Sequence, residues 1–117
     1  MRIKCFDVTD MVIQEAAERF KPIWIINEKY YTTLKSYCSI IDSLAEEFDG
    51  ESYEVEVDEI KATISIKLEC SDITLMSATH TFYSLARQTK AINFTNNPET
   101  GNLVVEFVFP SIWMKAA

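Results

Sequence analysis

Glycine is scarce in this chain: Gly50 and Gly101 are the only two among 117 residues. That shortage excludes the glycine-rich loops that cradle phosphates, and no GxGxxG, P-loop or HExxH pattern occurs. Proline is nearly as rare, at three, so no linker is legible and residues 1–117 read as a single domain. Histidine occurs once, as His80. One imidazole makes neither a metal site nor a catalytic triad, and no metal or cofactor is expected. Cys5, Cys38 and Cys70 are odd in number and more than thirty residues apart. That is neither a disulfide framework nor zinc spacing, and a reducing cytoplasm is the expected compartment. Cys70 precedes a helix start, where a thiol can turn nucleophilic. Its strand register points it inward instead, as a small buried hydrophobe. No run of about 18 apolar residues exists to span a bilayer. The opening MRIKCFDVTD has no apolar run of the secretory type, so no leader is expected.

Positive charge is also in short supply. Eleven Lys and Arg face eighteen Asp and Glu, for a net charge of −7. Nucleic acid and anionic membranes are therefore excluded as general partners. Between Ser36 and Ile60 there is no Lys or Arg at all, while half of the acids fall there. Glu46, Glu47, Glu51, Glu54, Glu56 and Asp58 form a candidate acidic patch. A solvated rim is the simplest reading, and docking of a basic protein partner is the functional one.

What is present is a chain with a core. Apolar residues make up 48%, a globular profile. Thr9 or Asp10 caps a first helix with Ile13, Ala16, Ala17 and Phe20 inward, which Pro22 ends. From Asn27, the positions Tyr30, Leu34, Tyr37, Ile41, Leu44 and Phe48 step by helical spacing. Asp49-Gly50 stops that helix, with glycine in the left-handed conformation. The period then changes to two. In ESYEVEVD and KATISIKLEC, Tyr53, Val55 and Val57 alternate with carboxylates, and Ile64, Ile66 and Leu68 with polar residues. Pairing Val57 with Ala62 gives a two-residue turn at Glu59-Ile60. Ser71 or Asp72 caps a further helix with Leu75, Ala78, Phe82, Leu85 and Ala86 inward. A second hairpin, AINFT and NLVVEFVF, pairs Phe94 with Leu103. Residues 3–8 are a candidate edge strand. The order is (β)-α-α-β-β-α-β-β. It implies an α+β two-layer domain, with an antiparallel sheet of four to five strands and helices mainly on one face.

Asn97-Pro98-Glu99-Thr100-Gly101 resembles the sorting pentapeptide of surface proteins in Gram-positive bacteria, with asparagine in place of leucine. No spanning segment follows it, and it reads as a turn. In element order the chain is similar to the small acidic secretion-chaperone class, which dimerises. That class has three strands before its middle helix and a closing helix, where this chain shows two strands and a tail bearing Trp113. The resemblance implies a dimeric, chaperone- or adaptor-like module.

Two apolar segments belong to no regular stripe. Ile23, Trp24, Ile25 and Ile26 follow Pro22, and Ile112 and Trp113 lie near the far end, with Val104 and Val108 on the outer sheet face. They either cover one another or meet a second chain. The preferred reading is a non-catalytic cytoplasmic interaction module that forms a homodimer. The alternative is a small ligand-binding domain or enzyme, with a pocket between the long helix and the sheet and Tyr37, Tyr53 and Tyr83 as polar handles.

Overall fold

The computed structural model describes residues 3–20, 24–73, 75–110 and 114–116, with the backbone alone at Phe20, Trp24, Ile25 and residues 114–116. Three helices pack on a four-stranded antiparallel sheet in an α+β arrangement. Helix α1 spans Cys5–Phe20, strand β1 Trp24–Ile26 and helix α2 Glu28–Glu47. The hairpin β2 (Gly50–Asp58) and β3 (Thr63–Cys70) follows. A short 3-10 turn, Met76–Ala78, then leads into α3 (His80–Ala86). The second hairpin is β4 (Ala91–Asn96) and β5 (Leu103–Pro110), and β6 is Met114–Ala116. The sheet runs β2-β3-β5-β4, so the last long strand is central and β2 and β4 are the edges.

The helices lie on one face. Ile64, Ile66 and Leu68 from β3 and Val105, Phe107 and Phe109 from β5 are fully buried beneath Ile13 of α1, Ile41 and Leu44 of α2 and Leu85 of α3. Tyr37 of α2 stacks on Phe109 with ring centroids 4.6 Å apart, and Phe82 of α3 tilts against Phe107 at 6.0 Å. Each such side chain stabilises the fold by roughly 1.5–3 kcal/mol. The alternation read from the sequence therefore assigns the inner face correctly in both hairpins.

Several boundaries differ from the sequence reading. Residues 3–8 form no strand, because α1 begins at Cys5. Thr9 is buried inside that helix, its hydroxyl donating to the Cys5 carbonyl at 2.9 Å. The start is secured from a distance: Asp42 on α2 accepts from the Cys5 amide at 2.8 Å. Asn27 does precede α2, in an extended conformation, but its side chain makes no cap bond. The left-handed residue after α2 is Asp49 (φ 53), not Gly50. Gly50 is needed for a different reason. A Cβ there would sit 2.7 Å from Ala45 Cβ and 2.9 Å from its Cα, so only glycine lets β2 leave α2 this closely.

The helix expected to be capped at Ser71 or Asp72 is capped instead at Thr79 and starts at His80. Leu75 takes a left-handed φ of 68 and is 74% exposed, while Met76 fills the core position. Thr79 then caps α3, accepting from Phe82 N at 3.2 Å. Both hairpin registers shift by two residues. Val57 faces Ile64, and Phe94 faces Val105. An even shift leaves every side chain on its expected face, but lengthens each loop. The loops turn out alike. Asp58 Oδ1 accepts from the Ile60 and Lys61 amides, both at 3.0 Å, and Asn97 Oδ1 accepts from Glu99 N at 3.0 Å. Each loop then closes through a left-handed residue, Ala62 (φ 53) or Gly101 (φ 75). The sorting-like pentapeptide is thus the turn between β4 and β5, closed by Asn97 N to Asn102 O and Gly101 N to Asn97 O, both at 2.8 Å.

A candidate interaction surface at an open sheet edge

The two sheet edges are built differently. Edge strand β2 carries Glu51, Glu54, Glu56 and Asp58, has an irregularity between Gly50 and Ser52, and is flanked by α1. Charges, bulges and a covering helix are the devices that keep an edge from pairing with another chain. Edge strand β4 has such a device only at its start, where Lys90 donates its N–H to Val108 O at 2.7 Å, the residue that Ala91 also faces. Its sequence, AINFTN, holds no charge and no proline, and five of its six residues are exposed. Asn97 N bonds to Asn102 O, so Ala91, Asn93 and Thr95 direct their backbone groups at β5. The alternation of an antiparallel ladder then leaves the N–H and C=O of Ile92, Phe94 and Asn96 pointing outward.

Aromatic side chains flank this edge. Phe94 shares the inner face with buried Val105 yet remains 50% exposed, because α3 is too short to cover it. It stacks on Phe82 at 6.0 Å. Tyr83, on the next position of α3, is 59% exposed and lies under the Arg87 guanidinium at 5.9 Å. His80 is exposed at the start of the same helix.

The apolar segments singled out from the sequence are placed as follows. Trp24–Ile26 and Met114–Ala116 pair with one another as a two-stranded antiparallel ribbon, Trp24 facing Ala116 and Ile26 facing Met114. Ile26 is half-buried against the core. Ile23, Ile112 and Trp113 lie outside the described residues. Val104 and Val108 are half-buried on the outer face, beside Thr95 and Ala91 of β4. The acidic residues distribute over several elements. Glu46 and Glu47 are exposed at the end of α2, and Glu51 accepts from Asn102 at 2.7 Å. Glu54 and Glu56 form the outer row of β2, opposite Lys67 and Ser65. Asp58 is occupied by its own turn.

Between α2 and the sheet, Tyr37 and Tyr53 are engaged in packing and hydrogen bonding. Tyr37 stacks on Phe109, Tyr53 donates to Asp42 at 2.6 Å, and the void beside Tyr53, lined also by Ile3 and Lys4, measures about 20 Å³. Burial and the Asp42 carboxylate push the Tyr53 phenol above its ordinary value. A larger cleft, about 820 Å³, lies between α1, the β2–β3 turn and the outer sheet face. Glu106 stands in it, accepting from Ser65 Oγ at 2.5 Å and Asn93 Nδ2 at 2.9 Å. Those donors, with Lys67 and Lys61 nearby, hold its carboxyl below the usual glutamate range. Glu69 is held low in the same way by Asn102, Asn97 and Thr100. Burial, then the charges of Asp49, Glu51 and Glu69, pushes the Cys70 thiol up to about 11. No cluster of three or more metal-ligating side chains occurs among the described residues, and no helix among them is long and apolar enough to cross a membrane.

The open β4 edge escaped the sequence reading, which assigned faces but not strand order. A signal was available: AINFT is the one predicted strand without a charged residue. Comparison with protein families, with curated proteins and with solved structures gives no match. The likeness in element order to the secretion-chaperone class therefore gains no support from them.

Proposed function

We propose that this chain is a non-catalytic interaction module that self-associates, two copies joining their β4 strands into one continuous antiparallel sheet. The supporting observation is the contrast between the guarded β2 edge and the uncharged, uncovered β4 edge. Its occupant is a second copy on grounds of charge. Two chains of net charge −7 repel one another, and that repulsion is least where the contact strand carries no charge. A two-fold axis through Phe94 sets Phe94 opposite its counterpart and Ile92 opposite Asn96 of the second copy. The outward N–H and C=O groups then meet in matched pairs, and the exposed aromatic rings of the two copies cover each other. Main-chain pairing of this kind joins sheets in many complexes, and two-fold symmetry is its usual form.

Sedimentation velocity at tens of micromolar tests the reading. The wild type sediments as a dimer. Phe94→Lys sets two like charges directly opposite and yields a monomer, and so does Asn96→Pro, which removes an outward N–H while leaving the β4–β5 ladder intact. A monomeric wild type overturns the proposal. The second reading, a ligand-binding domain, draws on the cleft around Glu106, whose carboxylate rim suits a basic partner. A thermal shift with a lysine-rich peptide, lost in Glu106→Gln, supports it, and no shift counts against it.

A further inference from the structure

We propose that Cys5 and Cys38 form a reversible disulfide that staples α1 to α2, with a hydroperoxide as the oxidant. The spacing of cysteines along the chain gives no hint of this. The fold brings two of the three together, and both are fully buried. Their sulfurs share one hydroxyl: Thr9 Oγ1 lies 3.8 Å from Cys5 Sγ and 3.5 Å from Cys38 Sγ. Such a pair shares the first negative charge. Cys5 and the Thr9 hydroxyl beside it hold Cys38 below its ordinary value, while Cys5 is held above. Cys38 is thus the sulfur that attacks first, and Cys5 resolves.

The chemistry closes without further components. The Cys38 thiolate attacks the distal oxygen of the hydroperoxide and the O–O bond breaks. The departing alkoxide takes up the proton that Cys38 released and leaves as the alcohol. The sulfur of Cys5 then attacks the resulting sulfenic acid, the S–S bond forms and the S–O bond breaks. Hydroxide departs with the Cys5 proton as water. Two thiols lose two electrons, and the peroxide gains them.

Access comes from the start of α1. Cys5 is its first residue, and the preceding Ile3 and Lys4 are exposed. Unwinding this opening turn, with release of the Cys5 N–H from Asp42, is the local opening that exposes the pair. Once formed, the bridge encloses a loop of about thirty residues and raises stability chiefly by restricting the unfolded chain. Cys70 is the internal control, because it is buried with no sulfur partner among the described residues.

The test treats the full chain with hydrogen peroxide, unfolds it in an alkylating agent and maps its peptides by mass spectrometry. The expected product links the Cys5 and Cys38 peptides and leaves Cys70 alkylated. The melting temperature rises by roughly 10 °C and returns after dithiothreitol. Cys5→Ser and Cys38→Ser each lose the linked peptide and the rise, whereas Cys70→Ser keeps both. Thr9→Val slows bridge formation several-fold. A map in which Cys5 and Cys38 stay thiols, oxidise separately, or bridge through Cys70 or between chains overturns the proposal. The wild-type map alone decides it where a serine variant fails to fold.

Discussion

Asp42 ties three elements together. From the C-terminal half of α2 its Oδ1 accepts from the Cys5 amide of α1 at 2.8 Å and from the Tyr53 hydroxyl of β2 at 2.6 Å. Hydrogen bonds to a charged acceptor contribute about 1.5–3 kcal/mol each, so Asp42→Ala is expected to cost at least about 2 kcal/mol in urea unfolding. Tyr53→Phe loses a smaller share, about 1 kcal/mol. The same residue explains why the start of α1 was misread. Thr9 and Asp10 are good local caps, but the cap used lies 37 positions away, and no local pattern carries that. Acid provides a second residue-scale prediction. Glu106 and Glu69 are both held below the ordinary glutamate value of about 4.3 by the amide and hydroxyl groups around them. Their stabilising contribution is complete above that value and is lost as pH falls through the lowered folded ones. Melting temperatures taken from neutral pH into the acid range should fall less steeply in Glu106→Gln than in the wild type.

At the scale of elements, the strands were legible and the loops between them were not. Alternation places Val55, Ile66 and Phe107 on the inner face whichever even register is chosen, so the core followed from the sequence while the pairing did not. What sets the pairing is a left-handed residue closing each loop, and at Ala62 nothing in the residue type announces it. An alanine there is strained by roughly 1–2 kcal/mol relative to glycine, against which the extra freedom of an unfolded glycine counts. Ala62→Gly should therefore raise unfolding free energy by about 0.5–1 kcal/mol. Gly101→Ala should lower it by a similar amount, since a Cβ at Gly101 meets no atom within 4 Å and the cost is conformational alone. Chemical denaturation of the two variants beside the wild type checks both signs. Leu75 repeats the lesson. Its apolar character invites a helix face, yet its positive φ delays α3 to Thr79, and the core takes Met76 instead.

For the molecule as a whole, strand order decides where function can sit. The sequence reading located apolar excess at residues 23–26 and 112–114. The fold brings the described parts of these segments together as the β1–β6 ribbon, a long-range pairing no periodicity reveals. Placing β5 in the centre of the sheet then makes β4 an edge. That edge combines outward backbone groups, an absence of charge and a half-exposed Phe94, and self-association through it is the central claim. Amide hydrogen exchange at Ile92, Phe94 and Asn96, followed by NMR over a range of protein concentrations, tests it most directly. The account predicts that these amides become protected as concentration rises and lose that protection in Phe94→Lys, while Asn93 and Thr95, bonded to β5, stay protected throughout. Fast exchange at all three positions, unchanged with concentration, would contradict it.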